Sequence, residues 1–396
     1  MKILHAISSV NPEAGGPVEG LRQWGSKAAT RGHCVEVVSL DAHDAPFLSS
    51  FPLRVFALGP SKGHYCYNDK LVPWLRSNIE RYDGVIVNGI WQYHSFAVWR
   101  ALRNSNKPYF VFTHGMLDPW FRRYYPLKHA KKWLYWPWAE YRVLRDACAV
   151  LFTSEEERLQ ARQSFWLYRA NARVVAYGTS GPPQDKVRAL ETFYAQFPHL
   201  RGKRFLLFLG RIHEKKGCDL LIRAFAQQAQ KDTDLQLVMA GPDQTGWASN
   251  LKEIASQLGS SDRMTWTGMV RGDLKWGALY ACETFILPSH QENFGIAVVE
   301  ALACGKPVLI SNKVNIWREI ERDGAGIVAD DTLAGTQRLL ESWHATPAAA
   351  RQAMAQNAAR SFQERFTVDA MAEDLISLFH DHMEGRIACL SGRGVT

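Results

Sequence analysis

Two glutamates eight positions apart, Glu292 and Glu300, bracket the segment Asn293-Phe294-Gly295-Ile296-Ala297-Val298-Val299. Just before them, Thr284-Phe285-Ile286-Leu287-Pro288 reads as a short buried strand stopped by proline. After them, Ala297 to Cys304 reads as an apolar helix closed by Gly305, and a strand follows to Ser311. Glu292 therefore belongs to the loop at a strand's carboxyl end, and Glu300 lies about two turns into the helix. The amides around Phe294, Gly295 and Ile296 form a helix N-terminus suited to an anion. Ionised carboxylates only accept hydrogen bonds, which suits hydroxyl-rich ligands. Two of them flanking a phosphate-sized anion hole point to a nucleotide-sugar site.

Other strand ends carry complementary groups. Phe208-Leu209-Gly210-Arg211-Ile212-His213-Glu214-Lys215-Lys216-Gly217 reads as a strand, a basic glycine-bounded loop and a helix start. Arg211 and Lys216 bring the cationic charge a diphosphate needs, with Lys215 the solvated neighbour. Phe112-Thr113-His114-Gly115 ends a strand with a histidine, and His94 in Trp91-Gln92-Tyr93-His94 is placed to face an acceptor. Gly15-Gly16 follows the first strand but lacks the three-glycine spacing of a dinucleotide turn. Gly241-Pro242-Asp243 lines the same pocket or is a plain turn. A departing diphosphate needs its charge stabilised. The chain has no convincing Asp-x-Asp at a strand end, so no metal and no other cofactor is expected. Arg211, Lys216 and the helix dipole at Gly295-Ile296 take that role.

These groups must be positioned by α/β domains, because strand-like and helical runs alternate throughout. Strands are expected near Lys2–Ser8, Cys34–Leu40, Gly84–Asn88, Tyr109–Thr113, Ala149–Thr153 and Arg173–Ala176, then Arg204–Leu209, Leu235–Ala240, Met264–Thr267, Thr284–Leu287 and Val308–Ser311. Glycine and proline cluster in Tyr177-Gly178-Thr179-Ser180-Gly181-Pro182-Pro183, which marks the linker. The expected organisation is two doubly wound Rossmann-like domains facing across a cleft, residues 1–180 on the acceptor side and 181–366 holding the nucleotide sugar. A terminal amphipathic helix within 367–385 follows, with a frayed tail after Gly385. In such sheets ligands bind at the carboxyl ends of the strands.

At 396 residues, two domains are the natural prior, and 46% hydrophobic with 22% charged residues is ample for two cores. A net charge of +8 favours anionic partners. The seven cysteines show no Cys-x-x-Cys pair, so buried reduced thiols and a reducing cytoplasm are expected. The start is too short and polar for a signal peptide, and no window reaches the ~18 apolar residues of a membrane helix. From Trp120 to Arg145 aromatic and basic residues interleave, among them Phe121, Arg122, Tyr124, Lys128, Lys132, Trp133, Trp138 and Arg142. This suits peripheral contact with an anionic lipid surface. Stacking on single-stranded nucleic acid, or a core-facing aromatic helix with a solvated basic side, would use the same residues. The lipid surface is the expectation, with no nucleic acid.

The arrangement Pro288-Ser289-x-x-Glu292-x-Phe294-Gly295-x-x-x-x-Glu300-Ala301-x-Ala303-x-Gly305-x-Pro307-Val308 resembles the retaining glycosyltransferases of family four, which have the GT-B fold. The resemblance covers nearly the whole chain and is densest from Arg204 to Ile327. It implies that Arg211 and Lys216 hold a donor diphosphate, that Glu292 contacts hydroxyls of the transferred sugar, and that Glu300 accepts from the ribose. It also implies that His114 contacts a sugar hydroxyl and stabilises positive charge at the anomeric carbon through its carbonyl. Gly15 and Gly16 resemble the family's glycine loop, and Met269 and Val270 its backbone contacts to the base. The resemblance also implies that the terminal helix within 367–385 packs back on the N-terminal domain, where the residues alone would equally let it finish the second. The implied reaction moves a hexose from a UDP- or GDP-linked donor to an acceptor hydroxyl, with a lipid-linked saccharide of a bacterial surface polysaccharide favoured. The rivals are a sugar-nucleotide epimerase or hydrolase of the same fold, and a membrane- or nucleic-acid-binding protein with an inactive fold. Glu283 departs from the family's small residue or aspartate, and the linker from its common Pro-Asn-Gly form.

Overall fold

Runs such as Gly84-Val85-Ile86-Val87-Asn88 are apolar along nearly their whole length, as strands covered on both faces of a parallel sheet must be. The computed structural model describes residues 1–385, without the side chain of residue 123. The expectation for the tail after Gly385 lies outside the described residues. By its contacts the chain divides into two units, Met1–Gly178 with the chain from Val368 on, and Thr179–Thr367.

In the first unit, β1 (Lys2–Ile7), β2 (Cys34–Ser39), β3 (Arg54–Ala57), β4 (Gly84–Asn88), β5 (Tyr109–Phe112), β6 (Ala149–Phe152) and β7 (Ala172–Val174) form one parallel sheet. Its order is β3-β2-β1-β4-β5-β6-β7, so the chain reverses direction across the sheet between β1 and β4. Register sets Ile7 beside Asn88 and Asn88 beside Phe112, so three strands end level at that reversal. Leu4, Val85, Val87, Val111, Val150 and Phe152 share the core beneath.

The helix Val368–Met383 belongs to this unit. Its Asp369 takes Lys27 at 2.7 Å and Arg31 at 2.9 Å, both on the helix Gly16–Thr30. Its Phe379 meets Phe110 of β5 edge-on at 5.0 Å, and Asp374 accepts from the Ala176 amide at 2.7 Å.

In the second unit, β8 (Arg204–Leu209), β9 (Leu235–Ala240), β10 (Met264–Gly268), β11 (Thr284–Leu287), β12 (Val308–Ser311) and β13 (Gly326–Ala329) form a parallel sheet ordered β10-β9-β8-β11-β12-β13. Here the reversal falls between β8 and β11. Glu283, the departure from the family pattern, is structural: it accepts from Arg204 at 2.7 Å, Arg351 at 2.6 Å and the Trp343 indole at 2.8 Å. Cys34, Cys66, Cys218, Cys282 and Cys304 are free thiols. Cys148 is buried, and Cys389 lies outside the described residues.

The strand ends of the second unit cross closely. Gly210 donates to the Ala240 carbonyl at 2.9 Å and Gly241 to the Gly268 carbonyl at 2.8 Å. Gly241 has φ +142°, and a Cβ there would collide with the Gly210 carbonyl oxygen. Gly241→Ala is therefore expected to cost roughly 2–5 kcal/mol, a strained backbone plus an overpacked contact. Urea unfolding would read the loss, and an unmoved midpoint would refute the close crossing.

Candidate functional site

At the reversal between β8 and β11 one expected cation, Lys216, meets one expected carboxylate, Glu292. Gly217 caps the helix Cys218–Lys231 with φ +63°, and a Cβ on it would collide with the Pro288 carbonyl oxygen. The His290 amide donates to the Lys215 carbonyl at 2.7 Å. These two approaches clamp the turn after β8 onto the end of β11. Lys216 thereby reaches Glu292, and its ammonium donates to Oε2.

Glu292 is fixed from its other side by the segment after β12. Its amide donates to the Lys313 carbonyl at 2.9 Å, and its carbonyl accepts from Asn315 at 3.0 Å. Gly295 then turns the chain into the helix Ile296–Ala303 with φ +77°, and no side chain caps that end. A Cβ on Gly295 would lie 3.3 Å from Glu292 Cγ and 3.4 Å from Val314 Cγ1. Only glycine leaves the carboxylate's stem that close to the helix N-terminus. Phe294 is buried and meets Phe366 edge-on at 5.9 Å.

Glu300, within the helix Ile296–Ala303, is buried, and Lys275 of the helix Gly272–Ala281 donates to its Oε1 at 2.5 Å. The sequence reading missed Lys275; a lysine 25 positions from its partner leaves no local pattern. Arg211 is exposed at the end of β8. It helps hold His213 below its ordinary value, after burial, which is the larger cause. Beyond β10, Met269 is exposed and Val270 is buried.

In the first unit the level ends of β1, β4 and β5 gather a second set. Gly15, with φ +83°, opens the helix that Gly16 begins, and the Tyr177 hydroxyl donates to the Gly16 carbonyl at 3.1 Å. His114 sits just past β5 with φ +47°, stacked on Phe112 at 5.1 Å. Its turn is held by buried Glu157, which accepts from Thr113 Oγ1 at 2.8 Å and the Gly115 amide at 2.6 Å. His114 Nε2 lies 3.4 Å from Asn88 Oδ1. Burial, and then His94, press His114 down to about 3.

The expectation that His94 faces an acceptor needs correction. His94 is 1% exposed and its Nε2 lies 2.9 Å from the Asn88 carbonyl. Burial outweighs its backbone hydrogen bonds and lowers it to about 4. It belongs to the polar interior behind His114 because the first turn of its helix, Tyr93–Leu102, packs into the core. Asn88 and His5 were missed; each is a single polar residue within an apolar strand.

The 120–145 stretch divides between core and surface. Trp136 is buried and stacks on Phe165 at 4.1 Å. Leu127, Leu134 and Trp138 are 81%, 80% and 69% exposed beside exposed Lys128 and Lys131. Lys132 lies 4.5 Å over Trp91, and burial lowers it to about 8. Among the described residues no helix is long and apolar enough to cross a membrane.

Residues 15–178 match the family description glycosyl transferase 4-like domain, and residues 191–361 match glycosyl transferases group 1. The alpha-D-kanosaminyltransferase of Streptomyces kanamyceticus is 26% identical over 251 residues, 62% of this chain and 63% of that protein. The D-inositol 3-phosphate glycosyltransferase of Mycolicibacterium vanbaalenii is 33% identical over 212 residues, 48% of this chain and 45% of that protein. The chain thus spans less than two thirds of the length of these relatives. The structure of Anabaena HepE in complex with UDP and glucose superposes with a TM-score of 0.75, covering 96% of this chain and 100% of that one at 19% identity. That likeness identifies the fold as GT-B. With one family match on each unit and most of the sequence taken in by the pair, the chain belongs to the group 1 glycosyltransferases, family four.

Proposed function

We propose that this chain is a retaining hexosyltransferase that moves a sugar from a UDP- or GDP-linked donor to an acceptor hydroxyl. The observation that carries the reading is the contact of Lys216 with Glu292 beside the Gly295 helix N-terminus, at the reversal point of the second sheet. Ligands of open α/β sheets bind at such points. The diphosphate is held by Arg211, Lys216 and the amides at Gly295 and Ile296, and Lys216 exchanges part of its bond to Glu292 for a phosphate oxygen. Met269 and Val270 line the base through their backbone, with Phe294 packed behind the turn. Glu300 accepts from the ribose hydroxyls beside its partner Lys275.

The bond from the anomeric carbon to the diphosphate oxygen breaks, and the acceptor oxygen bonds to that carbon on the same face. The leaving phosphate oxygen takes the acceptor's proton. Charge on the leaving group is met by cations and a helix dipole, and no metal or other cofactor is required. On the first unit, His114 contacts a sugar hydroxyl, and the Gly15-Gly16 loop approaches the phosphates or the acceptor. The kanosaminyl- and inositol-phosphate glycosyltransferases among the relatives, and the UDP and glucose named for HepE, support this substrate class. An acceptor on a lipid carrier, in assembly of a bacterial surface polysaccharide on the inner face of the cytoplasmic membrane, fits exposed Leu127, Leu134 and Trp138 among lysines.

Arg211→Ala, Lys216→Ala and Glu292→Ala are each expected to cut transfer by at least about 100-fold while far-ultraviolet dichroism stays unchanged. Undiminished rates in all three would reject the site. Release of free sugar or of an epimerised donor without acceptor would favour the hydrolase or epimerase of the same fold. No heat on titration with UDP or GDP would favour an inactive one.

Lys275→Met leaves Glu300 buried without its cation. The expected result is weaker nucleoside diphosphate binding by calorimetry and a stability loss of about 1–3 kcal/mol. Unaltered binding would remove Lys275 from the site.

Anionic phosphatidylglycerol vesicles are expected to sediment the protein, and neutral phosphatidylcholine vesicles to leave it in solution. A Leu127→Glu, Leu134→Glu double variant that still sediments equally would place the contact elsewhere.

A further inference from the structure

His114 belongs to a polar cluster whose other members are buried. His5, Asn88, His94 and His114 meet where β1, β4 and β5 end level. Asn88 touches all three imidazoles: its Nδ2 lies 2.9 Å from His5 Nδ1, its Oδ1 3.4 Å from His114 Nε2, and its carbonyl 2.9 Å from His94 Nε2.

Each contact dictates where a proton sits. A backbone carbonyl only accepts, so His94 carries its hydrogen on Nε2. The orientation of the Asn88 amide is set by a second neighbour, because Nδ2 also lies 3.5 Å from the Ile86 carbonyl, where an oxygen would be repelled. The amide nitrogen only donates, so His5 Nδ1 is bare and its hydrogen is on Nε2. Asn88 Oδ1 only accepts, so His114 carries its hydrogen on Nε2 and a lone pair on Nδ1. His5 Nε2 and His94 Nδ1 are buried without partners, which leaves Asn88 as the group that orders the cluster.

We infer that Asn88 is a positioning residue that locks His114 in the Nε2–H tautomer, so that Nδ1 is presented to a ligand as a hydrogen-bond acceptor. The ring's plane is fixed independently by its stack on Phe112, with an interplanar angle of 15°. A bare imidazole nitrogen held this way takes the hydrogen of a hydroxyl and has nothing to donate to a phosphate or carboxylate. The assignment of that hydroxyl to the transferred sugar rests on the proposed transferase reading; the tautomer does not.

The titratable groups around His114 are His5 and His94, Tyr177 edge-on at 6.1 Å, and Glu157, which accepts from the flanking Thr113 and Gly115. Burial lowers His5 to about 3 and drives Tyr177 far up, so both stay neutral near pH 7.

Long-range proton–nitrogen spectra of the full chain, labelled with 15N-histidine and assigned with His5→Gln, His94→Gln and His114→Gln, read the tautomers directly. All three rings are expected in the Nε2–H form with no titration between pH 8 and 5. In Asn88→Ala, His114 is expected to become a tautomer mixture that titrates within that range. In Asn88→Asp the carboxylate can only accept, so His5 switches to the Nδ1–H form while His114 keeps Nε2–H. A wild-type His114 protonated on Nδ1 would overturn the inference, as would a His5 unchanged by Asn88→Asp. With a working donor, Asn88→Ala is expected to lower kcat on the order of tenfold with donor KM nearly unchanged. The spectra need no turnover, so a chain inactive with every nucleotide sugar would reject the transferase reading and leave the tautomer assignment standing.

Discussion

One partly buried ion pair, Lys216 with Glu292, organises the second unit's site. Each partner alone would carry a partly desolvated charge at a strand end, and the pairing offsets part of that cost. The pairing depends on backbone rather than on the side chains themselves. Gly217 lets the turn after β8 press on Pro288, and Gly295 lets Glu292 lie against the next helix. A site built this way is ordered before any ligand arrives, so less ordering remains when a ligand binds. It also keeps two opposite charges ready to be separated by an incoming anion.

The first unit solves a different problem. Its strand ends carry polar groups into the interior, and burial there favours neutral imidazoles over charged ones. The cluster is therefore organised by hydrogen-bond direction instead of by charge. Glu157 supports it from beneath by taking amide and hydroxyl protons of the His114 turn. Glu140 plays a similar part for the Trp91 turn, accepting from its amide at 3.1 Å, with burial raising it to about 8.

How much of this the sequence discloses depends on how local the cause is. Continuous apolar runs gave β4, β8, β9, β11 and β12 their full extents. The edge strands β3 and β13 escaped because they are short and only partly buried. Lys216 and Glu292 were readable as groups at neighbouring strand ends, since each lies in a strand-loop-helix pattern of its own. Lys275, Asn88 and His5 were not, because parallel register and helix packing bring them to their partners. The basic aromatic stretch misled in part: alternation of residue types does not say which rings point inward, and Trp136 fills the core while Trp138 does not.

The helix Val368–Met383 gives this chain an order of assembly. A segment made after the second unit supplies the acidic partners of Lys27 and Arg31 and the ring that covers Phe110. On the ribosome, where N-terminal regions ordinarily fold first, the amino-terminal sheet must wait with one flank bare while the whole second unit is synthesised. Nascent chains of this protein thus leave the apolar sheet face at Phe110 uncovered until Thr179–Thr367 has been made, a window in which a chaperone has something to hold.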